Sequence, residues 1–277
     1  MKTLIGSVFS GTGKPQLLDL QLSFISQNTI NEYDHVCYLT EKAKPTEYNK
    51  HINSSIIGQN NLTHKDPSKS HLNGLLSILA YFKTQTDYYD MFIILDSDCF
   101  PINKSWDQTC YGLLQKNDII SCIRTENLDT FLHPSICAFK DVSLIDFQRL
   151  EIDNLLGEQT SDNQVVPLWK NCNQSAFLWH SAPSDWFGST DPQSRGEFRS
   201  KAKVFPLIRT NRKNHHPILA AIYGDLFYHH GCGSRSQVIR SNPYYDQLSI
   251  NYSEDTSACL LQMLLESPCD YISNLMS

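Results

Sequence analysis

The chain opens on an apolar run from Thr3 to Phe9 that stops at the turn residues SGTGKP. A short apolar run bounded by turn residues predicts a strand buried on both faces. The next segment, PQLLDLQLSFISQ, fits both a period of 2 and a period of 3.6. Its length, and a proline suited to the first helical position, favour a helix from Pro15. HVCYLT (35–40) predicts a second strand, and a polar stretch with Pro45 and GQNNLTHKDPSKS follows with no predicted element. Leu72, Leu75, Leu76, Leu79 and Phe82 then fall at i, i+3, i+4, i+7 and i+10, one face of an amphipathic helix that Ser68 or Ser70 could cap. MFIILDSDCFPIN follows: five apolar residues running into two aspartates, a central strand that ends in carboxylates.

Residues 105–116 read as a helix and DIISCI (118–123) as another strand. The first 125 residues thus alternate strand and helix, which implies an α/β fold with a parallel, doubly wound sheet. The second half is less regular, and is rich in Trp, His, Asn and Pro from Trp169 through Pro217. YGDLFYHHGCGSR (223–235) reads as one more strand ending in a Gly-rich turn, and 256–266 as a closing helix. Without an internal repeat or linker, a single domain over 1–277 is expected.

Composition narrows the class. Hydrophobic residues make up 40% and charged residues 19%, with 12 Gly and 12 Pro, which excludes a disordered, collagen-like or coiled-coil chain. No stretch approaches the roughly 18 consecutive apolar residues of a spanning helix. The opening apolar run is too short for a signal-peptide core. Nine cysteines are scattered with no C-x-x-C pair, which argues against a zinc ribbon and suits reduced thiols. A cytoplasmic location is expected, with membrane attachment peripheral at most.

The net charge of −6 does not by itself recruit nucleic acid. The charge is uneven, however. Arg195, Arg199, Lys201, Lys203, Arg209, Arg212 and Lys213 are opposed only by Glu197. This stretch is either a solvated face or a docking surface for an anionic acceptor, be it a phosphorylated lipid carrier, an acidic glycan or DNA.

Asp96-Ser97-Asp98 carries the strongest chemistry. Open parallel sheets bind ligands at the carboxyl ends of their strands. Two carboxylates placed there repel each other unless positive charge sits between them. A hard divalent cation supplies that charge and also binds phosphate oxygens. A surface turn is the plain alternative.

A hydrophobic strand, D-x-D, an aromatic residue and Pro together resemble the metal-binding motif of GT-A-fold glycosyltransferases, family-2-like members in particular. Three further segments agree in order. SVFSG, with Ser10 and Gly11, is similar to the opening strand tip that touches the nucleotide. Ser70-His71-Leu72-Asn73-Gly74-Leu75 is similar to a helix start near the donor. Phe227-Tyr228-His229-His230-Gly231-Cys232-Gly233-Ser234-Arg235 resembles a late His-Gly-Gly-Ser-Arg element.

The resemblance implies a GT-A-like, mostly parallel central sheet flanked by helices, with an irregular acceptor-binding second half. Residues 1–125 would bind the nucleotide sugar, and 126–277 the acceptor, with a late metal and diphosphate element at 223–236. It implies Mn2+ or Mg2+ held by Asp96, Asp98 and one histidine. Strand alternation allows only one of His229 and His230, and His230 is preferred because it abuts the Gly-rich turn. Ser10, Gly11, Ser70, His71, Asn73, Asp96, Ser97 and Arg235 would contact the nucleoside-diphosphate sugar, with Arg235 on a phosphate.

An inverting transferase also needs a base for the acceptor hydroxyl. Asp162, Asp185, Glu197 and Asp225 are candidates. Asp185 is preferred because Trp186 beside it could stack on a sugar ring. A retaining mechanism would not need that base. Trp186, Arg209, Arg212 and Lys213 are the expected acceptor residues.

Two other readings stay open. A haloacid-dehalogenase-type phosphatase also ends a strand in Asp-x-Asp, but that motif usually lies near the amino terminus and does not continue Cys-Phe-Pro. A non-catalytic carbohydrate- or nucleotide-binding protein would use Trp169, Trp179 and Trp186 as its sugar platform. GTGKP is no P-loop, because Val8 stands where its first Gly belongs and Pro15 replaces Ser/Thr. His180 and the pair His215-His216 lack partners at metal-site spacing.

Overall fold

Four strands with apolar centres form one half of the main sheet. β1 (Lys2–Phe9), β2 (Glu32–Leu39), β3 (Ser54–Gln59) and β4 (Met91–Asp96) run parallel in the order β3-β2-β1-β4. The computed structural model describes residues 1–9, 15–40, 54–59, 67–123, 132–144, 175–179, 198–199, 205–210, 215–230 and 262–276. Beyond β4 the sheet continues through β7 (Leu132–Phe139), β6 (Ile119–Ile123), β8 (Ser175–Trp179) and β9 (Phe198–Arg199). Only β7 runs antiparallel to its neighbours, so this eight-stranded sheet is mostly parallel. The α/β architecture expected from the resemblance, a mostly parallel sheet flanked by helices, is the one observed.

Both faces of the central strands are buried, which is why they read as unbroken apolar runs. On one face Leu4, Val8, Phe92 and Ile94 pack under Leu72, Leu75, Ile78, Leu79 and Phe82 of helix α2 (Pro67–Lys83). On the other, Ile5, Met91, Ile93 and Leu95 meet Ile25 of helix α1 (Pro15–Asn28) and Trp106 and Cys110 of helix α3 (Trp106–Leu113). A third cluster joins Phe9, Leu17, Leu18, Leu20 and Phe24 to Leu264, Tyr271 and Ile272 at the carboxyl end, the last two on helix α4 (Pro268–Met276). Each such side chain contributes roughly 1.5–3 kcal/mol when fully buried.

Two glycines let α2 lie close to the sheet. A Cβ on Gly6 would stand 2.4 Å from Ile78 Cγ2 and 2.8 Å from Phe82 Cζ. A Cβ on Gly74 would meet Val8 at 2.6 Å. The link from α1 to α3 is stitched by polar contacts. The fully buried Asp107 accepts from the Asn31 main-chain N–H (2.9 Å) and from Asn31 Nδ2 (2.6 Å), and Trp106 Nε1 donates to Thr29 Oγ1 (3.0 Å).

Several expectations change. The polar stretch after residue 40 contains β3, a half-buried strand whose Ser, Gly and Gln positions mask its pattern. The α2 helix starts at Pro67, so Ser68 and Ser70 lie inside its first turns instead of capping it. Residues 223–235 are not one strand. Tyr223 ends β11 (His215–Tyr223), and β12 (Phe227–His229) returns beside it. The turn uses the left-handed backbone of Gly224 (φ 58°) and Asp225 (φ 55°), which Gly and Asp adopt most readily. With β10 (Phe205–Thr210) and β5 (Cys99–Pro101) these strands form a second, antiparallel sheet in the order β10-β11-β12-β5. Regular strands therefore occupy part of the half expected to be irregular. Of the predicted helix at 256–266, residues 262–266 are helical and the rest lies outside the described residues.

Gly6→Ala tests the close packing of α2 on β1. Overpacking of this kind costs about 1–3 kcal/mol. The expected outcome is a lower urea midpoint with an unchanged slope; an unchanged midpoint would mean that α2 can move away freely.

Candidate metal centre

The β4 strand ends at Asp96, which pairs in register with Val8 of β1. The chain turns at Ser97 and Asp98 and enters β5 at Cys99, which pairs antiparallel with His229 of β12. That pairing brings a residue more than a hundred positions away back to the turn. His229 Nε2 lies 3.3 Å from Asp98 Oδ1 and 3.7 Å from Asp96 Oδ2. One ligand atom from each of Asp96, Asp98 and His229 lies within 4.8 Å of the others. Asp98 is 7% exposed and His229 2%.

Other segments converge on Asp96. His71, in the first turns of α2, brings its Nε2 to 3.4 Å from Oδ1. Ser135 of β7 donates its hydroxyl to Oδ2 at 2.7 Å. Gln21 of α1 donates through Nε2 to the main-chain carbonyls of Asp96 (2.9 Å) and Cys99 (2.6 Å). The His230 main-chain N–H donates to the Asp98 carbonyl at 2.9 Å. Burial pushes the Asp96 carboxyl up, but His71 beside it and then His229 pull it down, and together they hold it below the usual carboxylate range. Asp96 is therefore ionised at neutral pH.

The donor set fits a divalent ion. Asp96 Oδ1 is buried and has His71 Nε2 beside it at 3.4 Å, and His229 Nδ1 is buried with no hydrogen-bond partner among the described residues. Two carboxylates held this close together are costly, and a bound cation relieves that cost. Two carboxylates and one imidazole suit a hard or borderline ion.

The structure groups His229, not His230, with the carboxylates, and this corrects the preference drawn from the sequence. Along β12 the side chains alternate. Tyr228 turns to Phe100 and Tyr271, with ring centroids at 5.3 and 5.8 Å. His229 turns to the other face, towards Tyr223 and the aspartates. His230 follows Tyr228, whose hydroxyl lies 3.0 Å from His230 Nδ1. Adjacency to the Gly-rich turn carried no information about which face looks at the D-x-D turn.

Among the other expected residues, His71 is brought to Asp96, and Ser97 sits in the turn itself. Ser70 and Asn73 share the start of α2 with His71, and the buried Ser70 hydroxyl has no hydrogen-bond partner among the described residues. Asp225 occupies the β11–β12 turn, at the opposite end of β12 from His229. Arg209 lies on β10. Ser10, Gly11, Asp162, Asp185, Trp186, Glu197, Arg212, Lys213 and Arg235 lie outside the described residues. Sequence reasoning missed Ser135 and Gln21. Ser135 sits on a strand that was not predicted. The only signal for Gln21 is an amide in the middle of an otherwise apolar helix face.

No protein-family model matches the chain, and no curated protein matches its sequence. Among solved structures it is similar to S. aureus TarS in complex with UDP-GlcNAc, at 11% identity over 69% of this chain and 61% of that one, with a TM-score of 0.44. It is similar to the bifunctional glycosyltransferase WbbM at 13% identity over 64% of this chain and 38% of that one, with a TM-score of 0.46. It is also similar to the mannosyltransferase PcManGT from Pyrobaculum calidifontis in complex with GDP-Man and Mn2+, at 12% identity over 67% of this chain and 58% of that one, with a TM-score of 0.41. The chain spans about three fifths or less of the length of each. Among the described residues no helix is long and apolar enough to cross a membrane.

Replacing each histidine separately tests the grouping. His229→Ala should weaken Mn2+ binding, measured by calorimetry, by at least about tenfold, since even outer-sphere partners are worth about 10–100-fold. His230→Ala keeps the main-chain bond to Asp98 and should cost less. The reverse order would overturn the grouping.

Proposed function

We propose that this chain is a metal-dependent glycosyltransferase that moves a sugar from a nucleoside-diphosphate sugar to an acceptor hydroxyl. One observation carries the reading. Two aspartates and a histidine converge at the carboxyl end of a parallel sheet, with one ligand atom of each within 4.8 Å of the others. That end of an open sheet is where such folds bind ligands. Asp96, Asp98 and His229 would hold Mn2+ or Mg2+. When bound, the ion neutralises the diphosphate and stabilises the departing nucleotide.

The chain's own residues supply the rest. Ser135 donates to Asp96 Oδ2, the oxygen that lies 3.7 Å from His229 Nε2, and so fixes the orientation of the carboxylate. His71 stands 3.4 Å from the other oxygen, Oδ1, and favours the ionised form of Asp96. On this reading the start of α2, with Ser70, His71 and Asn73, lines the donor, and Ser10, Gly11 and Ser97 complete that wall. Arg235 meets a phosphate. Asp185 takes the acceptor proton if the reaction inverts, with Trp186 stacked on the sugar. Arg209, Arg212 and Lys213 receive an anionic acceptor, whether lipid-linked, glycan or nucleic acid. The enzyme works in the cytoplasm, peripheral to a membrane if the acceptor is a lipid.

A thermal-shift series tests the donor side. UDP-, GDP-, CMP- and dTDP-sugars are each offered with and without Mn2+ or Mg2+. A ligand at 100 times its Kd stabilises the native state by about 2.7 kcal/mol. One nucleotide class should raise the Tm only with metal, and Asp98→Ala should abolish the shift while keeping its own cooperative melt. No shift with any donor, or the same shift in Asp98→Ala, would sink the assignment. Steady phosphate-monoester hydrolysis would point to the phosphatase reading, and donor binding without turnover on any acceptor to a binding protein.

The acceptor side is tested by replacing Arg209, Arg212 and Lys213 together with Ala. Transfer to an anionic acceptor should fall, with donor hydrolysis retained. Unchanged transfer would return the stretch to a solvated face.

A further inference from the structure

Helix α1 faces the core with Leu17, Leu18, Leu20, Phe24 and Ile25, all buried. Gln21 lies three or four positions from four of these, in the middle of that face, and is fully buried too. A leucine would continue that apolar face with no amide of its own to satisfy. A buried amide costs free energy unless its hydrogen bonds are made. Gln21 makes three. Its Nε2 donates to the carbonyls of Asp96 and Cys99, and its Oε1 accepts from Ser7 Oγ at 2.9 Å.

Chemistry fixes the direction of these bonds. Main-chain carbonyls only accept, so the amide nitrogen must face the turn and the amide oxygen must face Ser7. Ser7 spends its one proton on Gln21. Its oxygen therefore accepts from His35 Nε2, 3.3 Å away, and His35 Nδ1 lies 2.7 Å from Ser54 Oγ. A polar line thus runs from β3 through β2 and β1 to α1, and ends on the two carbonyls that bracket the D-x-D turn. With the His230 N–H on the Asp98 carbonyl, the carbonyls of Asp96, Asp98 and Cys99 are all tied.

We propose that Gln21 is a positioning residue for the metal site: by clamping the carbonyls on either side of the turn, it holds the Asp96 and Asp98 carboxylates together before any cation arrives. This rests on the metal reading above. Two like charges tend to splay a turn, and a clamp on the main chain opposes that. Gln21 never touches the ion, so its effect falls on metal affinity through preorganisation.

The test titrates Mn2+ into the purified full chain by calorimetry, with a melting curve for every variant. Wild type, Gln21→Met, Ser7→Ala and Ile78→Val are compared. Ile78 packs against Gly6 and α2 has no part in the clamp at that point, so Ile78→Val lowers the Tm and leaves Mn2+ affinity alone. Gln21→Met, cooperatively folded, should bind Mn2+ about 10–100-fold more weakly. A Gln21→Met that binds like wild type, whatever its Tm, overturns the clamp and leaves the metal site standing. If Gln21→Met does not fold, Ser7→Ala decides. Loss of one anchoring hydrogen bond should weaken Mn2+ binding about two- to tenfold, and unchanged affinity overturns the proposal. Wild type that binds no Mn2+ removes the metal reading itself, and the clamp with it.

Discussion

Two carboxylates and an imidazole meet where β4 ends, with little water to separate them, and the surrounding fold is arranged around that cost. Asp98 and His229 are almost fully buried, and Asp96 stands between two histidines. In so dry a place like charges raise each other's pKa unless positive charge is near. Here burial pushes Asp96 up, and His71 and His229 outweigh it. The result is an ionised carboxylate with one oxygen fastened by Ser135 and the other beside His71 Nε2.

The helices and strands around the turn serve that arrangement from three sides. Gly74 lets α2 approach Val8, and Val8 pairs in register with Asp96. His71 sits one turn before Gly74 on the same helix face, so the close approach at Gly74 is what carries its ring to the carboxylate. From the opposite face α1 reaches the same turn through Gln21. The second sheet supplies the third side. Its β12 strand is only three residues long, yet its pairing with β5 sets His229 opposite Cys99. Tyr228, between Phe100 and Tyr271, anchors that short strand to the carboxyl-terminal helix.

Much of the frame was legible in the residues alone. β1, β2, α2, β4, α3 and β6 announce themselves by apolar runs or a helical period, because each buries a whole face or both, and α1 does so by its length and the proline that opens it. β3 did not. It is half-buried and built from SSIIGQ, which carries little alternation. β7 did not either, as LHPSICAF interrupts its apolar half with His and Pro. The sequence reads 223–235 as one strand, whereas Tyr223 ends β11 and β12 begins only at Phe227, because a turn made by Gly224 and Asp225 looks, in sequence, like a brief polar break.

The sequence by itself determined the α/β class, the strand that ends in Asp96-Ser97-Asp98 and the helix that carries His71. All of these follow from local periodicity and from residue types whose chemistry is plain in isolation. Only the tertiary structure decided which histidine joins the aspartates, because alternation along β12 gives two faces and the pairing with β5 chooses between them. It alone revealed Ser135 and Gln21 as partners of the turn. Their side chains are ordinary polar groups, and what makes them matter is a distance of under 3 Å to an atom 39 or 75 residues away. Hydrogen bonds that short between such distant positions are written in the packing, which no local pattern encodes.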